Sequence, residues 1–296
     1  MNKTKAHLAV IAANLIFGIN FSAVQRITQG SVKPFALNIL RVGISSILLW
    51  ILWLMSRGPA GIQKKHIGRF ILCAITGVAI NQSLFIQGLA MTLSIHAALL
   101  ILVTPVFISV AAFWLGTENL TLLKLIGLCI SISGAVILAL QKEQGSGASN
   151  IFWGDVFIII NAISYAIYFS LVKPLMKIYS PVQIIRWVFT FGLLFIVPIG
   201  WNQFSQVEWN SLGVMDWGFI GFVVLGATFL AYLFNLYGIH QLGAAITGTY
   251  IYTQPVFAAL IAIFILGEKL TLHKILAALL IFGGVYLVSR KNNQST

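Results

Sequence analysis

The residues best suited to bind a small molecule are uncharged polar side chains that recur along long apolar runs. Asn161, Ser164, Tyr165 and Tyr168 lie at positions i, i+3, i+4 and i+7, which is the spacing of one face of an α-helix. Amide and phenol groups donate and accept hydrogen bonds without carrying a charge. The spacing therefore predicts a polar stripe that suits a zwitterion or a polar molecule with an apolar part.

Other apolar runs carry similar side chains, most of them at helical spacing. These are Asn14, Phe17, Phe21 and Gln25 in the first run, Asn81, Gln82 and Phe85 in the third, His96 and Thr104 in the fourth, Thr228, Tyr232 and Asn235 in the eighth, and Thr247, Tyr250 and Gln254 in the ninth. Amides and hydroxyls in membrane helices also bond to neighbouring helices, at roughly 0.6–2 kcal/mol each. For any one of these residues the sequence favours neither substrate binding nor a hydrogen bond to a neighbouring helix.

The predicted substrate-binding set takes the amides and aromatic rings of these stripes together with one histidine. Its members are Asn14, Phe17, Phe21, Asn81, Gln82, Phe85, His96, Asn161, Tyr165, Tyr168, Tyr232, Asn235, Tyr250 and Gln254.

The composition indicates that the solvent of this chain is lipid. Of 296 residues, 59% are hydrophobic and 8% are charged, whereas a soluble domain has about a quarter of its residues charged. The net charge of +12 comes from Lys and Arg scattered at the ends of apolar runs, which does not make a nucleic-acid patch. Cys73 and Cys129 are expected to be small buried side chains, and the sequence predicts no metal site and no cofactor.

Ten runs have the length of a membrane-spanning helix, which is about 20 residues. Their predicted bounds are 7–24, 35–55, 67–89, 95–115, 122–140, 153–172, 182–199, 217–239, 244–266 and 272–289. The runs do not alternate as barrel strands would, and a helix satisfies its own backbone inside a bilayer. The predicted fold class is an all-α integral membrane protein with ten transmembrane helices in two inverted five-helix repeats.

The repeat prediction comes from a stretch that occurs twice. Residues 105–138 align without a gap on residues 255–288, which places Pro105 on Pro255, Glu118 on Glu268 and Gly134 on Gly284. The predicted division is a first repeat at 1–142, a polar connector at 143–150 and a second repeat at 151–296. Because five helices is an odd number, the second repeat would enter the membrane inverted.

The doubled Pro-Val-Phe helix, the Gly-Thr-Glu or Gly-Glu hinge followed by Leu-Thr, and the glycine-containing last run of each half resemble EamA-type members of the drug/metabolite transporter superfamily. The resemblance covers essentially the whole chain. It implies a carrier of the bacterial inner membrane, with runs one, three, four, six, eight and nine around a central cavity and runs five and ten at its periphery. It implies no single substrate, because amino acids, nucleosides, sugars and other small metabolites all occur in the family.

The two repeated prolines each remove a backbone donor within an apolar run. Pro105 and Pro255 are therefore predicted to kink a cavity helix, either as a fixed bend or as a hinge. Glu118 and Glu268 follow these runs and are predicted to structure a hydrated loop, with Thr121 and Thr271 capping the next helix.

Basic and phenolic side chains near the ends of runs are expected at the membrane surface. We predict that Arg41 and Arg186 extend toward water, with anion binding as the alternative. Tyr179 and Tyr237 are predicted to anchor their helices in the interface.

His96 is the one histidine of the predicted set, and histidine is the side-chain type that can change charge near neutral pH. It could therefore couple transport to protons or simply pack at the membrane boundary. The six carboxylates lie in loops or at helix ends by the sequence prediction. Ion-coupled carriers often have one at mid-membrane. Their placement favours facilitated, exchange-type movement over ion coupling.

The distribution of Lys and Arg predicts that both termini are cytoplasmic, because most of the 18 basic residues then lie on that side. No cleavable signal peptide is evident.

The hypothesis is a non-enzymatic alternating-access carrier that exports a small amphipathic metabolite, with amino acids as the first substrate class and nucleosides as the second. A passive channel and a membrane scaffold or sensor are the alternatives, and the expected partners are the solute, the lipid bilayer and, as a possibility, a second copy of the chain.

Overall fold

The computed structural model describes residues 3–56, 58, 61–114, 121–140, 148–242, 246–247 and 250–289. Eight helices in these ranges are long and apolar enough to cross a membrane, and two further apolar helices are shorter. Glu118 and residues 143–147 of the predicted connector lie outside the described residues.

We number the helices α1 to α10 in chain order. They are α1 (Lys3–Thr28), α2 (Pro34–Ser56), α3 (Lys64–Met91), α4 (Ser94–Ile101 continued by Thr104–Trp114), α5 (Leu122–Ala139), α6 (Ile151–Met176), α7 (Pro181–Ser205), α8 (Val214–Leu242), α9 (Tyr250–Leu266) and α10 (Leu272–Ser289).

The helices extend past most of the predicted apolar bounds. At α6 and α7 the start follows from a capping side chain, since Asn150 accepts from the Trp153 amide at 3.3 Å and Ser180 accepts from the Gln183 amide at 3.3 Å. Thr121 and Thr271 accept from the Lys124 and Lys274 amides at 3.4 Å, as predicted for α5 and α10. Polar residues continue a helix beyond the apolar run because the helix ends project from the hydrocarbon.

Helix packing forms two three-helix groups. In the first group α1 packs against α8 and α9, and in the second group α6 packs against α3 and α4. Helix α2 packs against α7, and α5 packs against α10. Exchanging each helix of the first half with the corresponding helix of the second half leaves this set of pairs unchanged.

The α5–α10 pair is close because glycines face it. A Cβ at Gly127 would lie 2.6 Å from the Gly284 carbonyl oxygen, and one at Gly134 would lie 2.9 Å from the Ala277 carbonyl oxygen. Small residues let backbones approach in lipid, where no hydrophobic effect drives helices together. Outward-facing residues are large and apolar, as expected for a lipid contact: Phe264 is 82% exposed and Leu279 is 65% exposed.

Three of the helices around the candidate site contain π-helical segments, and two are interrupted beside proline. The π segments are Ile75–Ile80 in α3, Phe222–Leu230 in α8 and Ala262–Leu266 in α9. Pro105 and Pro255 each lie in the first turn of a new helical segment, where the missing amide has no helical partner to lose. The predicted kinks are therefore breaks before the proline and not bends within one helix.

Two predictions about surface position were wrong. Tyr179 is buried, and its hydroxyl contacts the Gln63 amide at 3.0 Å and His66 Nδ1 at 2.7 Å, so it joins the α2–α3 connection to the end of α6. Cys129 is exposed on α5, whereas Cys73 is buried as predicted. Tyr237 is 40% exposed and remains suited to an interfacial position.

Candidate functional site

Aromatic rings from both groups form the centre of the candidate site. The ring of Phe17 on α1 packs edge-on against Tyr232 on α8, with centroids 6.0 Å apart. The ring of Phe21, one turn further along α1, packs edge-on against Phe85 on α3 at 5.7 Å. Edge-to-face pairs at such distances are favourable beyond the area that they bury. They fix the rings as walls between α1, α3 and α8.

Helix α6 adds two tyrosines to these walls. The Tyr165 and Tyr168 rings lie 5.7 Å apart. Tyr168 packs on Gly77, where a Cβ would come within 2.7 Å of the ring carbon Cγ. Gly77 lies in the π segment of α3, so the backbone approaches the tyrosine closely at this point. Tyr165 is 38% exposed and is the most open of the three phenols.

Two predicted site residues of the first group bond to each other. Gln254 Nε2 on α9 donates to Asn14 Oδ1 on α1 at 2.8 Å, and Asn14 Nδ2 donates to the Val10 carbonyl at 2.8 Å. Near the start of α1, His7 Nδ1 and the Tyr250 hydroxyl are 2.7 Å apart. These contacts hold α1 against α9.

Two predicted site residues of the second group join helices. Asn81 Nδ2 donates to the Asn161 carbonyl at 3.1 Å, and Asn161 Nδ2 donates to the Asn81 carbonyl at 2.8 Å. This reciprocal pair, with Ser164 Oγ donating to the Thr76 carbonyl at 2.7 Å, ties α3 to α6. Of the two roles left open by the sequence, the geometry gives these asparagines the helix-joining one.

The remaining predicted members differ in burial. Gln82 is 6% exposed, and Asn235 is half-buried on α8, one turn from Tyr232. The members of the predicted stripes thus divide between the aromatic walls and hydrogen bonds that join helices.

Asp155 lies near a helix end, as the sequence predicted, but it is not hydrated. Asp155 lies in the second turn of α6 and is fully buried, with Oδ2 at 2.9 Å from His96 Nδ1 on α4. The Thr92 hydroxyl donates a short hydrogen bond to Asp155 Oδ1. The Asp155 carboxylate is shielded from water because Thr92, Gly88 and Gly154 bring α3 and α6 into close contact there.

Beside this pair lies a set of contacts that we call the junction, formed by Gln25, Thr92, Ser94, Ile95 and Glu268. Gln25 on α1 donates to the Thr92 carbonyl at 3.2 Å and accepts from the Ser94 amide at 3.1 Å and from the Ser94 hydroxyl. Glu268 accepts from the amides of Ser94 at 2.8 Å and Ile95 at 3.2 Å. The junction links the first group to the start of α4 in the second group.

Gly267 positions the Glu268 carboxylate of the junction. Gly267 has φ of 70°, a left-handed conformation that ends α9 and turns the chain back toward α4. Burial raises the pKa of Glu268 above its usual value, and the Ile95 and Ser94 amides, Lys274 and His96 oppose that rise. Lys274 is itself buried, and its ammonium donates to the Lys269 carbonyl at 2.8 Å.

The prediction that two arginines extend toward water was also wrong. Arg186 on α7 is 2% exposed and lies over the rings of Trp50 and Trp53, at 4.7 and 5.1 Å from their centroids. Arg41 on α2 is 4% exposed, and its Nε donates to Thr228 Oγ1 on α8 at 2.5 Å.

Arg41 belongs with the candidate site although the sequence prediction left it out. Its guanidinium carbon lies 5.7 Å from the centre of the Phe85 ring. A polar stripe could have indicated it, because Asn38, Arg41 and Ser45 lie at i, i+3 and i+7 on α2.

Within the described ranges, no group of three or more His, Cys, Asp or Glu side chains could hold a metal ion.

These helices, with lipid-suited outer faces and polar contacts inside, define a multi-pass helical membrane protein. The model of the EamA-like transporter family matches residues 4–140 and 152–290, so the chain belongs to that family, whose members are transporters.

Similar curated proteins are transporters by name. An uncharacterized transporter of Archaeoglobus fulgidus is 25% identical over 98% of this chain and 99% of its own. The uncharacterized transporter YetK of Bacillus subtilis is 24% identical over 98% and 88%. A probable terminal-alkyne amino-acid exporter of Streptantibioticus cattleyicolor is 24% identical over 98% and 95%.

The fold also matches a solved crystal structure. The TM-score is 0.60 at 18% sequence identity, over 97% of this chain and 96% of the other. At this identity the match establishes the shared fold alone.

Proposed function

We propose that the protein is an alternating-access carrier that exports small amphipathic metabolites, with amino acids as the first substrate class and nucleosides as the second. The observation that carries the proposal is the aromatic walls. Phe17 packs on Tyr232 within the first group, Phe21 packs on Phe85 of the second group, and Tyr165 lies beside Tyr168 on α6. Flat apolar walls with phenol hydroxyls suit a solute that has both an apolar and a polar part.

Two inverted five-helix repeats are part of this proposal. The doubled family match and the unchanged set of helix pairs on exchanging the halves support it. If the two shorter helices, α9 and α10, also cross the bilayer, the number of spans is the predicted ten. A protein built this way can open toward either side at similar energy.

The junction indicates on which side of the membrane the carrier is closed. Gln25 lies near the end of α1, and Glu268 follows the end of α9, so with cytoplasmic termini both are on the outer side of a bacterial inner membrane. Five hydrogen bonds that join the two groups lie at this end. We infer an outward gate that is closed here, with solute entry from the cytoplasm.

Transport by purified protein in liposomes tests the proposal. We expect efflux of a hydrophobic amino acid that accelerates when the same amino acid is present outside, because a carrier exchanges faster than it returns empty. Tyr232→Ala should lower efflux by about tenfold or more, since it removes a wall contacted by Phe17. Tyr237→Ala is the matched control, because this tyrosine on the same helix is exposed and should matter little.

The same assay separates the alternatives. A passive channel would show no acceleration by outside substrate and would not saturate. A scaffold or sensor would move neither amino acids nor nucleosides above the rate of empty liposomes, and that result would reject the carrier.

A further inference from the structure

The guanidinium of Arg41 is enclosed in the protein with one end unbonded. Nε donates to Thr228, but the terminal nitrogen Nη1 is buried without a hydrogen-bond partner. Among the described residues no carboxylate is in ion-pair contact with it: Asp155 pairs with His96, and Glu268 caps α4. An arginine stays protonated in proteins, so this buried group carries a positive charge.

The charge borders the aromatic walls. Phe85, over which the guanidinium lies, also packs on Phe21, and Thr228 is one turn before Tyr232 on α8. A ligand bound beside the Phe85 ring would therefore meet one fixed cation.

A second unbonded polar atom lies on the same face of α2. Asn38, three residues before Arg41, is fully buried, and its amide bonds to Ser83 Oγ at 3.1 Å through one atom while the other has no partner. Both side chains contact α3, since Asn38 bonds to Ser83 and Arg41 lies over Phe85.

An unpaired buried charge is costly in a membrane protein, and a bound anion would offset that cost. The planar guanidinium matches a carboxylate, which can accept two parallel hydrogen bonds from it. Thr228 occupies only the Nε position, so donors remain for a ligand.

We propose that Arg41 binds the carboxylate of the transported solute, with the aromatic walls holding the solute's apolar part. The substrate class is then small amphipathic carboxylates, amino acids among them, and nucleosides are excluded. This inference rests on the proposed carrier function and narrows it.

Four probes in proteoliposomes test the inference: phenylalanine, 3-phenylpropionate, phenylalaninamide and uridine. For the wild-type protein we expect saturable transport of the two carboxylates and at least about tenfold slower transport of the amide and of uridine, which is the scale of one charged hydrogen bond. Competition by each probe against labelled phenylalanine should show the same order.

Variants at Arg41 should remove this preference. Arg41→Gln should bring the ratio of phenylalanine to phenylalaninamide transport close to one, and Arg41→Lys should keep part of it, because the charge remains without the planar fork. Arg186→Gln is the matched control: it also removes a buried arginine, so the rate can fall, but the ratio should stay at the wild-type value.

The outcomes separate this inference from the proposed function. If the wild-type protein moves the amide or uridine as well as the carboxylates, the carrier stands and the role of Arg41 is wrong. If it moves none of the four probes, the carrier proposal for these solutes fails and the inference fails with it. The wild-type measurements decide both points even if the Arg41 variants do not fold.

Discussion

His96 and Asp155 are a hydrogen-bonded pair whose side chains are both fully enclosed by the protein. They come from α4 and α6, and the Thr92 hydroxyl from the end of α3 completes the contact. Three helices of the second group therefore depend on one carboxylate. Within a low-dielectric interior such a group is stable only while its partners are in place.

We predict that Asp155→Ala lowers the free energy of unfolding by roughly 3–5 kcal/mol, because His96 and Thr92 lose their buried acceptor. Unfolding of the purified protein in mixed micelles, followed by circular dichroism, measures the change. Replacing both His96 and Asp155 by leucine is the control and should cost less than the single change, since the histidine is removed with its partner and only the Thr92 hydroxyl loses its acceptor. A double variant as unstable as Asp155→Ala or worse would contradict this account of the pair.

The sequence could predict which side chains are polar and which helix face they share, but not their partners. His96 and Asp155 are 59 residues apart and meet only through the packing of α4 on α6. Arg41 was predicted to extend toward water from its place near the start of a helix. It is buried because α8 supplies Thr228 and α3 supplies Phe85 as contacts, which the sequence of α2 alone does not show.

Among the helices, the α5–α10 pair shows how strongly glycine fixes a membrane contact. A Cβ at Gly284 would overlap the Gly127 carbonyl oxygen and the Ser131 side chain. At the adjacent position, a Cβ at Gly283 would meet nothing within 4 Å. The two neighbours on α10 are thus a matched pair of positions.

We predict that Gly284→Ala destabilises the protein by about 1–3 kcal/mol, because the added methyl group forces α5 and α10 apart. Gly283→Ala should be neutral or slightly stabilising, since alanine favours a helix over glycine. Thermal unfolding of both variants in the same detergent compares them. Equal loss at the two positions would mean that the close backbone contact does not hold the pair.

The apolar runs predicted the positions of the helices well, because spanning length and hydropathy act locally along the chain. The π segments were not predicted. A π turn holds more than 3.6 residues, so it rotates the residues after it relative to the residues before it. Residues before and after Ile75–Ile80 or Phe222–Leu230 therefore do not share a face at α-helical spacing, which the sequence pattern does not show.

For the whole molecule, the proposed transport cycle requires the two groups to separate at the junction. We predict that cross-linking Ser94→Cys to Glu268→Cys with a short linker that forms a disulfide with each thiol lowers efflux by about tenfold or more, and that reduction of these disulfides restores it. The native Cys73 and Cys129 are first replaced by alanine. Efflux from proteoliposomes before linking, after linking and after reduction gives the measurement.

A linked pair within one group is the control for this experiment. His66→Cys and Tyr179→Cys replace side chains that are 2.7 Å apart and that both belong to the α3–α6 side of the molecule. Linking them should leave efflux nearly unchanged. Unimpaired efflux from the Ser94–Glu268 linked protein would show that the groups need not part at this end.

The first turn of α4 has one further consequence. Leu93 precedes it without capping it, so acceptors for the first amides are supplied by Gln25 and Glu268 from other helices. If the gate opens here, each turnover leaves those amides to water. A mutation that strengthened this cap would then stabilise the folded protein and slow transport. Thermostability and turnover number should therefore change in opposite directions in variants at Gln25 and Glu268.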